Sequence, residues 1–190
     1  NEIIKDPADV RVNIAFCFPD TYEIGMSNVG MRILYGVMNE MPGVWCQRVF
    51  TPWADMEEAM RKHDLPLWAL ESRRPVKEFD MIAFTIGYEM CYTNILQVLD
   101  LAQIPMLSRD RTEEHPIVIG GGPCTYNPEP IADFFDIFYI VISAIICLVF
   151  IGRLEGVREG SIFAAVAVGN IIKVYNRIYG KITERDFEYV

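Results

Sequence analysis

The sequence has few basic residues and few histidines, and it lacks closely spaced cysteines. Its 190 residues include 17 Lys or Arg, 26 Asp or Glu, and two His. A formal charge of -9 disfavours nucleic-acid binding through a broad basic surface, because such a surface must attract phosphates. The five cysteines form no C-x-x-C or C-x-x-x-C pair, which argues against a disulfide framework and a cysteine-based metal site. We therefore expect a cytoplasmic protein that binds no nucleic acid.

Two phosphate-binding signatures are also missing. No G-x-G-x-x-G follows the first predicted strand, and no G-x-x-x-x-G-K-[ST] occurs in the chain. The first pattern lets a backbone approach a dinucleotide, and the second cradles the phosphates of a nucleoside triphosphate. Dinucleotide binding and Walker-type phosphate binding therefore lose their main support.

The composition changes near Asp136. Residues 1–136 hold 11 Lys or Arg and 21 Asp or Glu, and residues 137–190 hold 6 and 5. All 11 prolines, all 9 methionines and all 3 tryptophans lie in the first part. We predict a domain over residues 1–136 and an apolar, helical tail over residues 137–190, which arose as an extension, a fusion or a shifted reading frame.

The tail begins with a long uncharged stretch. Residues 137–152 contain no charge, yet 16 residues fall short of the roughly 20 that span a bilayer. With a second apolar stretch at residues 161–172, they predict either a helical hairpin or a membrane-seeking segment. Residues 157–162 and 168–173 resemble the end of a bacterial family of multi-span membrane proteins. Membrane association through residues 137–152 is thus the alternative to a wholly cytoplasmic protein.

Strands and helices are predicted to alternate along the first part of the chain. Buried strands read as continuous apolar runs, and helices show apolar residues at a spacing of three or four. This alternation predicts a three-layer α/β fold with a doubly wound parallel sheet of the Rossmann type. The strands are expected at residues 12–18, 44–50, 79–86 and 116–119, and the helices at residues 29–41, 54–63 and 90–102.

Three loops follow predicted strands at the edge where such a sheet binds ligands. They comprise residues 19–28, 85–89 and 120–124, and the last begins with three glycines. Small residues let a ligand approach the backbone, and the next helix offers unpaired N–H groups to an anion. A tight turn without a ligand is the alternative for the glycines.

Other side chains near these loops have simpler interpretations. Glu23 and Glu89 are expected to cap helix N-termini or to bond to cofactor amides, with acid–base chemistry as the alternative. His63 and His115 are expected to be solvated. Cys124 has no histidine placed to activate it, so a nucleophilic role is not expected.

Four runs of residues carry a family resemblance. They are FPDTYEIGMS at residues 18–27, ALES at 69–72, YEMCYTNIL at 88–96 and GGPCTYNPEP at 121–130. Through these runs, residues 2–138 resemble the amino-terminal cobalamin-binding domain of a group of bacterial radical SAM proteins. The resemblance implies a flavodoxin-like domain that holds cobalamin at the carboxyl edge of its sheet.

The resemblance also implies how the cobalt is bound. In the wider cobalamin-binding fold the first loop is D-x-H-x-x-G, and its histidine is the lower ligand of cobalt. Residues 20–25 keep this spacing with Tyr22 at the histidine position. A neutral phenol is a poorer ligand than imidazole, so a His-off cobalamin is implied, with Tyr22 below the corrin or against the nucleotide tail. The implied cofactor-binding residues are Asp20, Thr21, Tyr22, Gly25, Met26, Ser27, Thr85, Gly87, Tyr88, Gly120, Gly121, Gly122 and Pro123.

One catalytic motif of the family is missing from this chain. Its members continue into a radical SAM domain, whose C-x-x-x-C-x-x-C motif binds the iron–sulfur cluster that cleaves S-adenosylmethionine. The chain has no such motif. We therefore expect a module that binds cobalamin without catalysing a reaction and presents it to a radical SAM domain in cis or in trans. The alternatives are a non-catalytic interaction or membrane-associated protein with a vestigial α/β domain, and a binder of FMN or a nucleotide.

Overall fold

The structure, a computed structural model, describes residues 2–138. The tail predicted over residues 137–190 lies outside the described residues from position 139 onward, so the helical hairpin, the membrane-seeking segment and the domain boundary stay predictions. Within the described part of the chain, no helix combines the length and the apolar character needed to cross a membrane.

A parallel five-stranded sheet forms the centre of the described residues. Its strands pair in the order β2-β1-β3-β4-β5. This order confirms the predicted α/β class and is that of flavodoxin-like folds. The strands are β1 (Val12–Phe18), β2 (Val44–Phe50), β3 (Met81–Thr85), β4 (Ile117–Gly121) and β5 (Ile137–Phe138).

Helices follow the strands and cover both faces of the sheet. Phe16 and Phe18 of β1 pack against Met31 and Tyr35 of one helix, while Cys17 belongs to the apolar cluster on the opposite face. Because side chains alternate along a strand, β1 contributes to both cores. The helices are α1 (Tyr22–Ser27), α2 (Val29–Glu40), α3 (Ala54–Lys62) and α4 (Tyr92–Leu101).

The two cores place the helices after β1 and β3 on opposite faces. Helix α2 packs on the face of Ile14, whereas Met60 of α3 and Ile95 of α4 belong to the cluster that contains Ile82. The connections after β1 and β3 therefore diverge to opposite sides of the sheet. Such a divergence between adjacent strands opens a crevice at their carboxyl ends, where open α/β sheets bind ligands.

Helix α2 is present as predicted, although the apolar stripe that predicts it faces away from the core. The buried side chains include Tyr35 and Asn39, while Val29, Ile33 and Val37 are exposed. Asn39 donates from Nδ2 to the carbonyl of Cys46 at 2.9 Å and accepts from the Cys46 N–H at 3.0 Å. These bonds to β2 fix the rotation of the helix, because a buried amide must be hydrogen-bonded.

Two aspartates stand directly before strands and bond to the neighbouring strand. Asp80 precedes β3, and its Oδ2 accepts from the N–H of Asn13 at 2.7 Å. Asp136 precedes β5, and its Oδ2 accepts from the N–H of Val118 at 2.8 Å. The same side chain pairs through Oδ1 with Nη1 of Arg111 at 2.7 Å. Asp136 thus connects the sheet to the loop before β4.

Candidate functional site

The candidate site is the crevice between the loops that follow β1 and β3. Asp20 lies in the first loop, and Gly87 and Tyr88 lie in the second. Gly87 is exposed, and a Cβ built on it would meet no atom within 4 Å. The space beside Gly87 is therefore open, and ligand binding there stays a prediction.

A hydrogen bond crosses the crevice. The hydroxyl of Tyr88 donates to Oδ2 of Asp20 at 2.5 Å. Asp20 also accepts from the N–H of Thr21 through Oδ1 at 2.8 Å, and its carbonyl accepts from the N–H of Thr51 at 2.9 Å. Asp20 thus joins the ends of β1, β2 and β3, which places two predicted site residues, Asp20 and Tyr88, in direct contact.

The same bond changes the acidity of Tyr88. The hydrogen bond to Asp20, with smaller contributions from burial and from the Asp20 charge, raises the pKa of the Tyr88 phenol to about 12. A carboxylate acceptor favours the protonated phenol, since phenolate would place two negative charges side by side. At neutral pH Tyr88 is therefore a hydrogen-bond donor.

Tyr22 lies on the other side of β1 from Tyr88. It is the first residue of α1, and its ring packs edge-to-face on Phe50 of β2 with centroids 5.4 Å apart. Thr21 precedes the helix without a side-chain capping bond. Because β2 and β3 flank β1, the two tyrosines border different parts of the edge, and the structure does not bring them together.

The remaining predicted residues of α1 make contacts within the domain. A Cβ on Gly25 would lie 2.3 Å from Cε1 of Phe50, so the absence of a side chain there accommodates the Phe50 ring. Met26 accepts a hydrogen bond at its sulfur from Nη1 of Arg48 at 3.3 Å. Ser27 donates from its hydroxyl to the carbonyl of Ile24 at 2.7 Å.

Only one of the three glycines at residues 120–122 lies in the turn after β4, whereas the sequence predicts a turn that begins at the first of them. Gly120 and Gly121 are the last residues of β4, where Gly121 pairs with Thr85 of β3. Gly122 adopts a φ of 104°, and a Cβ on it would lie 2.6 Å from the carbonyl oxygen of Ile86. Only glycine combines this dihedral with such close packing. Pro123 then begins a short 3-10 helix and is exposed.

Large apolar side chains are exposed around this edge. Met90, just after the β3 loop, is 84% exposed, and Trp53, just after β2, is 62% exposed. Exposed apolar side chains can supply contact surface for a ligand or a partner. The exposed apolar or aromatic side chains in and after these loops are Tyr22, Ile24, Trp53, Tyr88, Met90 and Tyr126.

Two carboxylates and two histidines near the predicted loops and strands lie at helix ends or in a loop. Glu23 and Glu89 occupy the first turns of α1 and of a 3-10 helix, where carboxylates stabilise a helix N-terminus. His63 is the C-cap residue that follows α3, and Nδ1 of His115 lies 3.0 Å from the Thr112 hydroxyl in the loop before β4. Burial, with the charge of Glu89, raises the pKa of the Cys124 thiol, which disfavours the nucleophilic thiolate.

Sequence reasoning missed a buried ion pair on the β2 side of the sheet. The side chains of Arg48 on β2 and Glu71 are 6% and 0% exposed, and Arg48 Nε lies 2.6 Å from Glu71 Oε1. Oε2 of Glu71 accepts from the N–H of Arg48 at 2.7 Å, and the guanidinium lies 4.5 Å above the Tyr35 ring. The available signal was an arginine within a predicted buried strand, since a buried charge requires a partner.

No group of three or more His, Cys, Asp or Glu side chains within residues 2–138 is arranged to hold a metal ion. Oxygen and nitrogen groups for an organic ligand are present instead, in Asp20, Tyr88 and the loop backbone.

Comparison with known proteins gives two family matches and one curated relative. A family model described as radical SAM proteins, N-terminal, matches residues 30–143. A model described as a family of unknown function matches residues 130–177. An uncharacterized protein of Methanocaldococcus jannaschii is 24% identical over 183 residues, which cover 92% of this chain and 30% of the relative. The chain thus spans less than a third of the curated relative that it matches.

Proposed function

We propose that this chain, which belongs to the family of radical SAM proteins, N-terminal, is a cobalamin-binding module that presents the corrinoid to a radical SAM domain. The observation that carries the proposal is the crevice between the β1 and β3 loops, with the open backbone of Gly87 and the polar side chains of Asp20 and Tyr88. In the order β2-β1-β3-β4-β5, this crevice is the topological switch point, which is where flavodoxin-like sheets bind their cofactors.

The residues at this edge offer both apolar and polar contacts to a corrinoid. A corrin is a broad ring with apolar faces and amide groups around its rim. The exposed side chains of Ile24 and Met90 supply apolar surface for a face of the ring. The Asp20 carboxylate supplies an acceptor for amides of its rim, next to the open space at Gly87.

The residues also fit a cobalamin without a protein imidazole on cobalt. Tyr22 occupies the position that histidine has in the wider fold, and it starts α1 with its ring on Phe50. His63 and His115 lie at the end of α3 and in the loop before β4, away from the crevice. When bound, cobalamin would supply a cobalt centre that carries methyl groups, while the protein binds and orients it.

The partner in this proposal is a radical SAM domain in cis or in trans. That domain, and not this chain, would bind S-adenosylmethionine and the iron–sulfur cluster. The length of the curated relative supports an arrangement in cis, because 70% of that protein lies beyond the part this chain covers. The substrate and the overall reaction would be determined there.

Titration of the full chain with hydroxocobalamin tests the proposal. We expect a change in the visible spectrum at micromolar protein and retention of the red cofactor after desalting. Gly87→Leu fills the open crevice and should weaken binding at least tenfold. Gly36→Leu is the matched control, because its Cβ also meets no atom within 4 Å but lies on α2.

Two results would overturn the proposal. The first is the absence of both a spectral change and cofactor retention. The second is unchanged binding in a folded Gly87→Leu variant, which would place the cofactor elsewhere. Purification of the chain with a yellow flavin bound at the same crevice would favour the FMN alternative instead.

A further inference from the structure

We propose that the outward face of α2 binds the same face of a second copy of this chain, with the two helices antiparallel. The proposal goes beyond the corrinoid function and does not depend on cobalamin. An apolar row of side chains runs along this face and is exposed throughout its length. The row consists of Val29, Ile33, Val37 and Met41, which are 65%, 59%, 52% and 43% exposed.

The spacing of this row makes it a continuous ridge. Side chains four residues apart lie one above another on an α-helix, so the four members line up along the surface. Helix α2 has 12 residues and is therefore about 18 Å long, and the ridge runs from one end to the other. Leu34 is also exposed and widens the ridge on one side. Ridges of this kind pack into the grooves of another helix.

The opposite face of α2 already packs against its own domain. Tyr35 and Asn39 are buried there, and Asn39 is hydrogen-bonded to the backbone of Cys46. These bonds prevent the helix from rotating its outward ridge toward the sheet. Single exposed apolar residues are ordinary on a protein surface, whereas a contiguous group of them supplies a contact surface for another molecule.

Two charges beside the ridge indicate which molecule covers it. Arg32 lies in the first turn of α2 and Glu40 is its last residue, and both side chains are exposed. Neither forms an ion pair within residues 2–138. They are separated by about 12 Å along the helix, too far to pair with each other. Each also lies at the end of the helix where the helix dipole disfavours its charge.

An antiparallel second copy of α2 brings opposite charges together at both ends. The reversed direction sets Arg32 of one copy beside Glu40 of the other, and two-fold symmetry repeats the pair. Each Glu40 then also lies near the N-terminal end of the other helix, where a carboxylate is favoured. The apolar ridge matches itself in the same way, because its two halves exchange places. A parallel copy would instead set like charges side by side, so the charges select the antiparallel arrangement.

The small size of this contact predicts a weak dimer. One pair of helices about 18 Å long buries less than the roughly 1,200 Å² of a stable interface. We therefore expect a dissociation constant on the order of 100 μM. Sedimentation equilibrium of the full chain, from about 5 to about 500 μM, measures it. The mass should rise with concentration from 21.8 kDa toward twice that value.

Leu34→Glu tests whether the ridge forms the contact. It should weaken association at least about tenfold, because the symmetric interface would then bury two additional carboxylates. Leu65→Glu is the matched control, since Leu65 is 48% exposed, compared with 47% for Leu34, and lies outside α2. The control should associate as the wild type does.

Charge reversal tests the antiparallel arrangement. Arg32→Glu and Glu40→Arg should each weaken association about 3- to 10-fold, because each turns two attractive pairs into repulsive ones. The double variant with both reversals should recover the wild-type affinity, since the opposite charges only exchange places. Lys62→Glu, an exposed reversal of the same sign on α3, is the control for the altered net charge.

The proposal is overturned if the full chain keeps a mass of 21.8 kDa at every concentration, which would leave the ridge to a different partner. It is also overturned if a folded Leu34→Glu variant associates as strongly as the wild type, since the contact would then lie elsewhere in the chain. Failure of the double reversal to restore association would refute the antiparallel pairing even if Leu34→Glu does not fold. Hydroxocobalamin binding should be equal in Leu34→Glu and the wild type, so the dimer and the corrinoid function fail separately.

Discussion

The hydroxyl of Tyr88 lies 2.5 Å from Oδ2 of Asp20, so a hydrogen bond connects the loops after β1 and β3. These loops are the two walls of the switch-point crevice. A ligand that enters the crevice must therefore lie over this bond or replace it. Asp20 and Tyr88 are therefore the residues whose hydrogen bonding and acidity should respond most directly to a ligand in the site.

Asp20→Asn should lower the pKa of Tyr88 from about 12 toward its ordinary value, because the bond to Asp20 is the largest cause of the shift. The phenol holds its proton more tightly in the folded protein. Its contribution to stability is therefore complete below about pH 10 and is lost as the pH rises to about 12. Ultraviolet titration of the wild type, Asp20→Asn and Tyr88→Phe isolates the Tyr88 phenol. An unchanged titration in Asp20→Asn would contradict the prediction.

Glu71→Gln should destabilise the domain by about 3–5 kcal/mol, because it leaves the buried Arg48 guanidinium without its counter-charge. Urea unfolding of the full chain measures the loss. The double variant Arg48→Met, Glu71→Leu should recover much of it, since no buried charge remains. If the losses in free energy of unfolding caused by substitution of Arg48 and of Glu71 simply add in the double variant, the two side chains are not coupled.

Gly122→Ala and Gly36→Ala should change stability in opposite directions. Gly122 has a φ of 104° and its Cβ would meet the Ile86 carbonyl at 2.6 Å, so alanine should cost about 2 kcal/mol or more. Gly36 lies inside α2 with open space at its Cβ, so alanine should add about 0.5–1 kcal/mol. Thermal unfolding of both variants checks the contrast. Equal effects would mean that the turn at Gly122 is not strained by a side chain.

Asp136→Ala should cost about 2–4 kcal/mol, because it removes the acceptor of the Val118 N–H and the partner of the largely buried Arg111. Asp110→Ala is the matched control. Its pairing with Arg109, at 4.0 Å between exposed side chains, should contribute less than about 1 kcal/mol. Chemical denaturation of the two variants gives the difference. A negligible loss of stability in Asp136→Ala would contradict the prediction and show that this carboxylate does not stabilise β4 and β5.

The strands could be predicted because a strand that is buried on two faces consists almost wholly of apolar residues. Most of the helices could be predicted from apolar residues at a spacing of three or four. The run Val12–Phe18 is almost wholly apolar, and it forms the strand with neighbours on both sides. Helix α2 shows the limit of this reasoning. Its apolar stripe predicts a helix, but Asn39 and Tyr35 decide which side faces the sheet, through partners that lie elsewhere in the chain.

The candidate site was predictable in position and less so in the roles of its residues. Its loops follow strands, which sequence reasoning locates. Gly25 and Gly122, however, make room for Phe50 and for the Ile86 backbone, and those neighbours come from other strands. The sequence pattern of a glycine is the same whether a ligand or a side chain occupies the adjacent space.

By itself, the sequence determined the α/β class, the loops that border the crevice and the change in composition near Asp136, because these depend on local apolar periodicity and on charge. Only the tertiary structure decided that Tyr88 bonds to Asp20 and that Arg48 pairs with Glu71. The physical reason is the distance along the chain. Each of these features depends on groups from separate segments that only the order β2-β1-β3 brings together.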